Sequence, residues 1–165
     1  DENLTWQMVP NDVQRGPIMI QQINALELQL KAERKIEQIK LAVVFRDDAL
    51  GVGTRVSLNP LVINGKPQVD PQNLGNKVRI DPYDFSQVDQ RGLIDAYVRF
   101  EPDIVVLAGT ADIVPNVMLP LEQRWPADKP RPIYLTIDPV KSAELLNADI
   151  IRFGKIIKDG NVKVE

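Results

Sequence analysis

The chain has 165 residues, 44% hydrophobic and 26% charged, which is one domain's worth of ordinary globular composition. Lys and Arg number 20 against 23 Asp and Glu, and the net charge of −3 argues against a nucleic-acid backbone binder, whose footprint is basic. Histidine and cysteine are both absent. That excludes His general bases and triads, thiol nucleophiles, disulfides and His- or Cys-ligated metal centres, leaving only a carboxylate site for a hard cation.

In chain order, Met19, Ile23, Leu26 and Leu30 recur at helical spacing and predict an amphipathic helix. Asn11 is a candidate cap, Pro17 removes a donor from an early turn, and the charged run Lys31–Gln38 reads as a solvated end. Leu41-Ala42-Val43-Val44-Phe45 is short, apolar and β-branched, a strand buried on both faces. A second helix is expected over 49–62, stopped by Asn64-Gly65 and Pro67. After a turn-rich stretch, Lys77–Ile80 reads as a shorter strand, and Ser86–Phe100 as a helix capped by Ser86 or Asp84. Ile104-Val105-Val106-Leu107 is the strongest strand, and a Pro-punctuated helix follows to about Trp125. Ile133-Tyr134-Leu135-Thr136 reads as a strand, Asp138-Pro139 as a turn, Val140–Leu146 as a short helix and Ile150–Phe153 as a last strand. No apolar run approaches the roughly 18 residues of a membrane span, so direct membrane insertion is not expected.

Strands alternating with helices imply right-handed βαβ crossovers. The expected fold is a single α/β domain over residues 1–165, with 147–165 an atypical tail or final strand. It is a three-layer Rossmann-like or flavodoxin-like arrangement, a mostly parallel sheet with helices on both faces. In such a sheet ligands bind beyond the carboxyl ends of the strands. Three ends carry small or polar residues: Asp47-Asp48-Ala49, Gly109-Thr110-Ala111 and Thr136-Ile137-Asp138. The helix start after each favours an anion or polar group, while Asp48 and Asp138 offer a place for an ammonium. Asp48 also reads as a simple helix cap, and Gly109-Thr110 as a tight turn. Gly51-x-Gly53 lacks the rest of a dinucleotide fingerprint. Trp6, Tyr97 and Trp125 read as core or interface residues. A phosphoaccepting receiver domain would need an aspartate ending its central strand, where this chain has Leu107-Ala108-Gly109. A carboxylate–Mg²⁺ enzyme would need Asp48, Asp112 and Asp138 to converge. No cofactor and no metal is assigned.

Five blocks in order then resemble one family. They are Leu4–Asp12, Lys40–Gly53 ("KLAVVFRDDALGVG"), Asp84-Phe85-Ser86, Glu101–Asp112 ("EPDIVVLAGTAD") and Ile133–Leu146 ("IYLTIDPVKSAELL"). They resemble the second lobe of type I periplasmic solute-binding proteins, the branched-chain amino acid receptor group of ABC transporters. The resemblance implies a non-enzymatic, periplasmic or extracellular receptor, in some members lipid-anchored, that traps a small solute such as an amino acid between two lobes. It implies ABC-transporter membrane subunits as partners and a first lobe missing from this chain. By position, Asp48, Ala49, Leu50, Gly109, Thr110 and Ala111 would face the cleft, and Asp138 would meet a ligand ammonium. Leu50 and Thr110-Ala111 stand where amino-acid binders usually carry aromatics, and Gln7 where they carry Arg, so the solute stays open. The alternative is a free-standing flavodoxin-like regulatory domain that works through protein contacts without binding a solute.

Overall fold

The structure, a computed structural model, describes residues 12–87 and 89–137. The Trp6 and Asn11 readings, the Asp138 site and the two elements after it lie outside the described residues.

Helix α1 (Asp12–Arg34) runs through Pro17 and buries Met19, Ile23 and Leu30 at the expected spacing. Its charged end is not merely solvated. Arg34 Nη1 donates to Asp103 Oδ1 at 2.5 Å, and Glu27 accepts from Lys31 at 2.6 Å and from the Asn64 amide at 2.9 Å. The bonds to Asp103 and Asn64 tie the helix to the rest of the body.

Strand β1 (Leu41–Arg46) is central, with Leu41 to Val44 wholly buried. It pairs in parallel with β4 (Val78–Tyr83) on one side and β5 (Ile104–Ala108) on the other. Strand β6 (Ile133–Thr136) adds in parallel to β5. The described sheet therefore has the order β4-β1-β5-β6, all parallel. Pro82 sits inside β4 because an edge strand has no use for its missing N–H.

Helix α2 (Ala49–Ser57) is shorter than its apolar run suggested. The chain leaves it ahead of Pro60 and enters a two-stranded hairpin, β2 (Val62–Ile63) and β3 (Lys66–Pro67). Asn64 and Gly65 form its turn with φ of 53° and 75°. Two positive φ values mark the turn type whose twist matches a hairpin, and Asn-Gly suits it best. The Asn-Gly pair thus closes a hairpin and does not stop a helix. Helix α3 (Arg91–Phe100) starts five residues later than expected from Ser86. The Asp84 carboxylate closes a local turn on Ser86 N and Oγ at 2.8 and 2.6 Å, so its capping capacity is used before the helix begins. After β5, a π-helical segment (Val114–Met118) leads into α4 (Leu119–Arg124). Pro115 and Pro120, lacking N–H groups, break the regular ladder there. Trp125 is buried and donates through Nε1 to the Pro130 carbonyl at 3.1 Å, fixing the Pro-rich connection.

The chain steps from β1 outward to β4, then back across to β5 and on to β6. Right-handed crossovers place the helix of the first step on one face and those of the later steps on the other. The packing agrees, since α1 lies on α2 and α3 on α4. This is the expected three-layer α/β fold. The chain leaves β1 and β5 toward opposite faces, so their carboxyl ends flank the crevice where parallel sheets receive ligands.

Candidate functional site at the sheet's switch point

Arg46, the last residue of β1, organises this rim. Its Nη1 donates to Thr110 Oγ1 at 2.6 Å and to Asp112 Oδ1 at 3.2 Å. Its Nε lies 2.7 Å from Asp48 Oδ2, within ion-pair distance though the N–H is not aimed along that line. The guanidinium stacks over the Phe85 ring, 3.8 Å from its centroid. Asp48 caps α2 by accepting from Gly51 N at 3.0 Å. Thr110 Oγ1 also donates to Asp112 Oδ1, and Tyr83 Oη donates to Asp112 Oδ2 at 2.8 Å.

Burial by itself would raise the Asp112 carboxyl. The donors Thr110 and Tyr83 and the Arg46 charge outweigh it and hold the group below the usual carboxylate range. Burial pushes the Tyr83 hydroxyl well above its ordinary value, and the neighbouring Asp112 charge adds to the shift. A carboxyl depressed in the folded state contributes stability above its unfolded pKa and loses it as pH falls through the folded value. Tyr83→Phe is therefore expected to cost about 1 kcal/mol at neutral pH, read from urea unfolding. The cost should shrink once acid protonates Asp112. A pH-independent difference would mean that Tyr83 acts through packing alone.

The two glycines beside this network have steric reasons. A Cβ at Gly51 would lie 2.0 Å from the Arg46 carbonyl oxygen, so α2 crosses the end of β1 at backbone contact. A Cβ at Gly109 would lie 2.6 Å from Tyr83 Oη, so the glycine clears the path of that hydroxyl to Asp112.

Asp48, Ala49 and Leu50 thus stand beyond β1, and Gly109, Thr110 and Ala111 beyond β5, on neighbouring strands. Asp48 and Thr110 share Arg46 as a partner. Ala49 is exposed, Thr110 and Ala111 are half-buried, and Leu50 leans on the core. Asp48 and Asp112 converge on the guanidinium, and no group of acidic side chains arranged for a metal occurs among the described residues. Sequence reasoning missed Arg46, Tyr83 and Phe85. A charged last residue on a strand otherwise buried on both faces was the available signal, because such a side chain must leave through the sheet edge. A groove of about 740 Å³ between α1 and α2 and a pocket of about 120 Å³ between α3 and α4 both lie away from the rim and include none of its residues.

No family model matches this sequence, and no curated protein matches it. Solved structures do resemble the fold. One is the crystal structure of a protein described as a branched-chain amino acid ABC transporter from Rhodospirillum rubrum, with TM-score 0.56, 13% identity, and coverage of 84% of this chain and 34% of that one. Another is a fatty acid ABC transporter substrate-binding protein from Thermomonospora curvata, with TM-score 0.53, 17% identity, and coverage of 84% and 31%. The chain spans about a third of the length of these proteins, and what it shares with them is the fold.

Proposed function

We propose that this chain is the second lobe of a two-lobed, ABC-transporter-type solute receptor, non-enzymatic, that holds a small polar metabolite such as an amino acid in an interlobe cleft. Asp48, Ala49, Leu50, Gly109, Thr110, Ala111 and Asp138 form this lobe's wall. The observation that carries the reading is the meeting of polar groups from two neighbouring strand ends at the switch point, where Asp48 and Thr110 share Arg46. Partly exposed groups of this kind need a second wall to desolvate a ligand. The fold likeness to about a third of longer substrate-binding proteins supports the same reading. Membrane subunits of a transporter and a periplasmic or extracellular setting follow from it. Among the described residues, no helix is long and apolar enough to cross a membrane.

The test is thermal unfolding of the natural full-length protein against a panel of small metabolites. A solute at a hundred times its Kd should add about 2.7 kcal/mol of stability. One observation favours the alternative, a regulatory domain working through protein contacts: the 740 Å³ groove is lined by Pro17, Ile20 and Val56, on the helical face. A protein that ignores the whole panel and instead forms a stable complex through this face would replace the receptor reading.

A further inference from the structure

We propose that the outward face of α1 is a self-pairing surface, on which a second copy of this chain docks its own α1 antiparallel about a twofold axis. The proposal goes beyond the receptor reading and does not depend on it.

Helix α1 is apolar on two sides. Its inner side carries the buried Met19, Ile23 and Leu30, and its outer side carries Ile18 and Leu28, exposed by 53% and 73%. A single exposed apolar side chain needs no explanation. The charge pattern around these two does. From Gln14 to Ala32 the helix has ten exposed positions, and none of them is charged. Arg15, Glu27 and Lys31, the charged residues of this stretch, are all buried or half-buried. The solvent face of a surface helix normally carries its charges, whereas the centre of a protein interface is depleted of them.

Spacing and charge together select the occupant. Gln14, Ile18, Gln21, Ala25, Leu28 and Ala32 follow one another at intervals of four, three, four, three and four. This alternation keeps a stripe turned toward one neighbouring helix, here over about 27 Å. The spacing is the same from either end, so a second α1 laid antiparallel meets the stripe in register. Ile18 then packs on Leu28 of the second copy, and Gln21 lies over Ala25, long against short. At a twofold axis each central side chain stands beside its own counterpart, where a charge would repel itself. The central residues Gln21, Gln22, Asn24 and Ala25 are uncharged. An amide both donates and accepts, so it can bond to its own copy. A strongly charged partner, by contrast, finds nothing on this face to pair with. The apolar groove beside the stripe continues the surface from Pro17 to Val56 and Pro60.

Sedimentation of the natural full-length protein between about 1 μM and about 1 mM tests this. A concentration-dependent dimer is expected. Ile18→Glu and Leu28→Lys should each weaken it at least tenfold. Combined in one chain they should recover most of that loss, because each introduced carboxylate then faces an introduced ammonium of the second copy. Both positions are exposed, so circular dichroism of the variants should match the parent. A monomer throughout the range, a dimer indifferent to both single variants, or a double variant without recovery would each overturn the proposal. None of these outcomes bears on solute binding, which the metabolite panel reads separately.

Discussion

Gly51→Ala is expected to be the most damaging single methyl group in this chain. The added Cβ would sit 2.0 Å from the Arg46 carbonyl oxygen and 2.5 Å from the Arg46 nitrogen. Both are backbone atoms of a central strand, so neither can swing aside as a side chain would. Overpacking usually costs about 1–3 kcal/mol when side chains absorb it. Here relief requires moving α2 off β1, and a loss of at least about 3 kcal/mol is expected, enough to unfold a marginal domain. Urea unfolding followed by circular dichroism would show it. Gly92→Ala is the matched control in α3. Its Cβ meets nothing within 4 Å, so it should be neutral or stabilise by up to about 1 kcal/mol. Equal effects at the two positions would mean that α2 and β1 do not approach as described. The same contact accounts for the glycine that a sequence reader weighs as a nucleotide motif, since Gly51 is needed for helix-on-strand packing.

Arg46→Met is expected to be the second largest loss, about 2–3 kcal/mol. The substitution keeps much of the stem's packing and removes the charge. It leaves Asp48 and Asp112 as neighbouring charges without their shared cation, and Thr110 Oγ1 without its donor, while Asp112 keeps only the bonds from Thr110 and Tyr83. A fully buried pair broken on one side costs about 3–5 kcal/mol; the Arg46 side chain is 19% exposed, so solvent reduces the figure. The stacking on Phe85 contributes about a further 0.5–1 kcal/mol. Neutralising a partner should return part of the loss, so Arg46→Met with Asp112→Asn is expected to be less damaged than the sum of the single variants. An additive cycle would show that the ion pair is a surface contact without energetic weight.

The buried strands were legible because their composition leaves little choice. Leu41–Val44 and Ile104–Leu107 are apolar on both faces, and only a sheet covered on both sides buries such runs. The α1 stripe was legible for the same reason. Element ends were less so, because they depend on competition among local bonds. Asp84 could cap a helix or close a turn, and it closes a turn. Asn64-Gly65 could stop a helix or join two strands, and β-branched Val62 and Ile63 beside it decide for the hairpin. The charged end of α1 looked solvated because Asp103, the partner of Arg34, is 69 residues away in sequence.

The candidate site divides along the same line. Periodicity and strand-end residues by themselves determined the fold class and pointed to Asp48, Gly109 and Thr110 as neighbours of the switch point, because hydrophobic pattern and crossover handedness are local and chiral constraints. Only the tertiary structure decided that Arg46 joins them, reaching partners 64 and 66 residues away, and that Tyr83 and Gly109 fit together. Which charge meets which at a sheet edge depends on strand order and on sub-ångström clearance, and neither leaves a mark in a linear pattern of residue types.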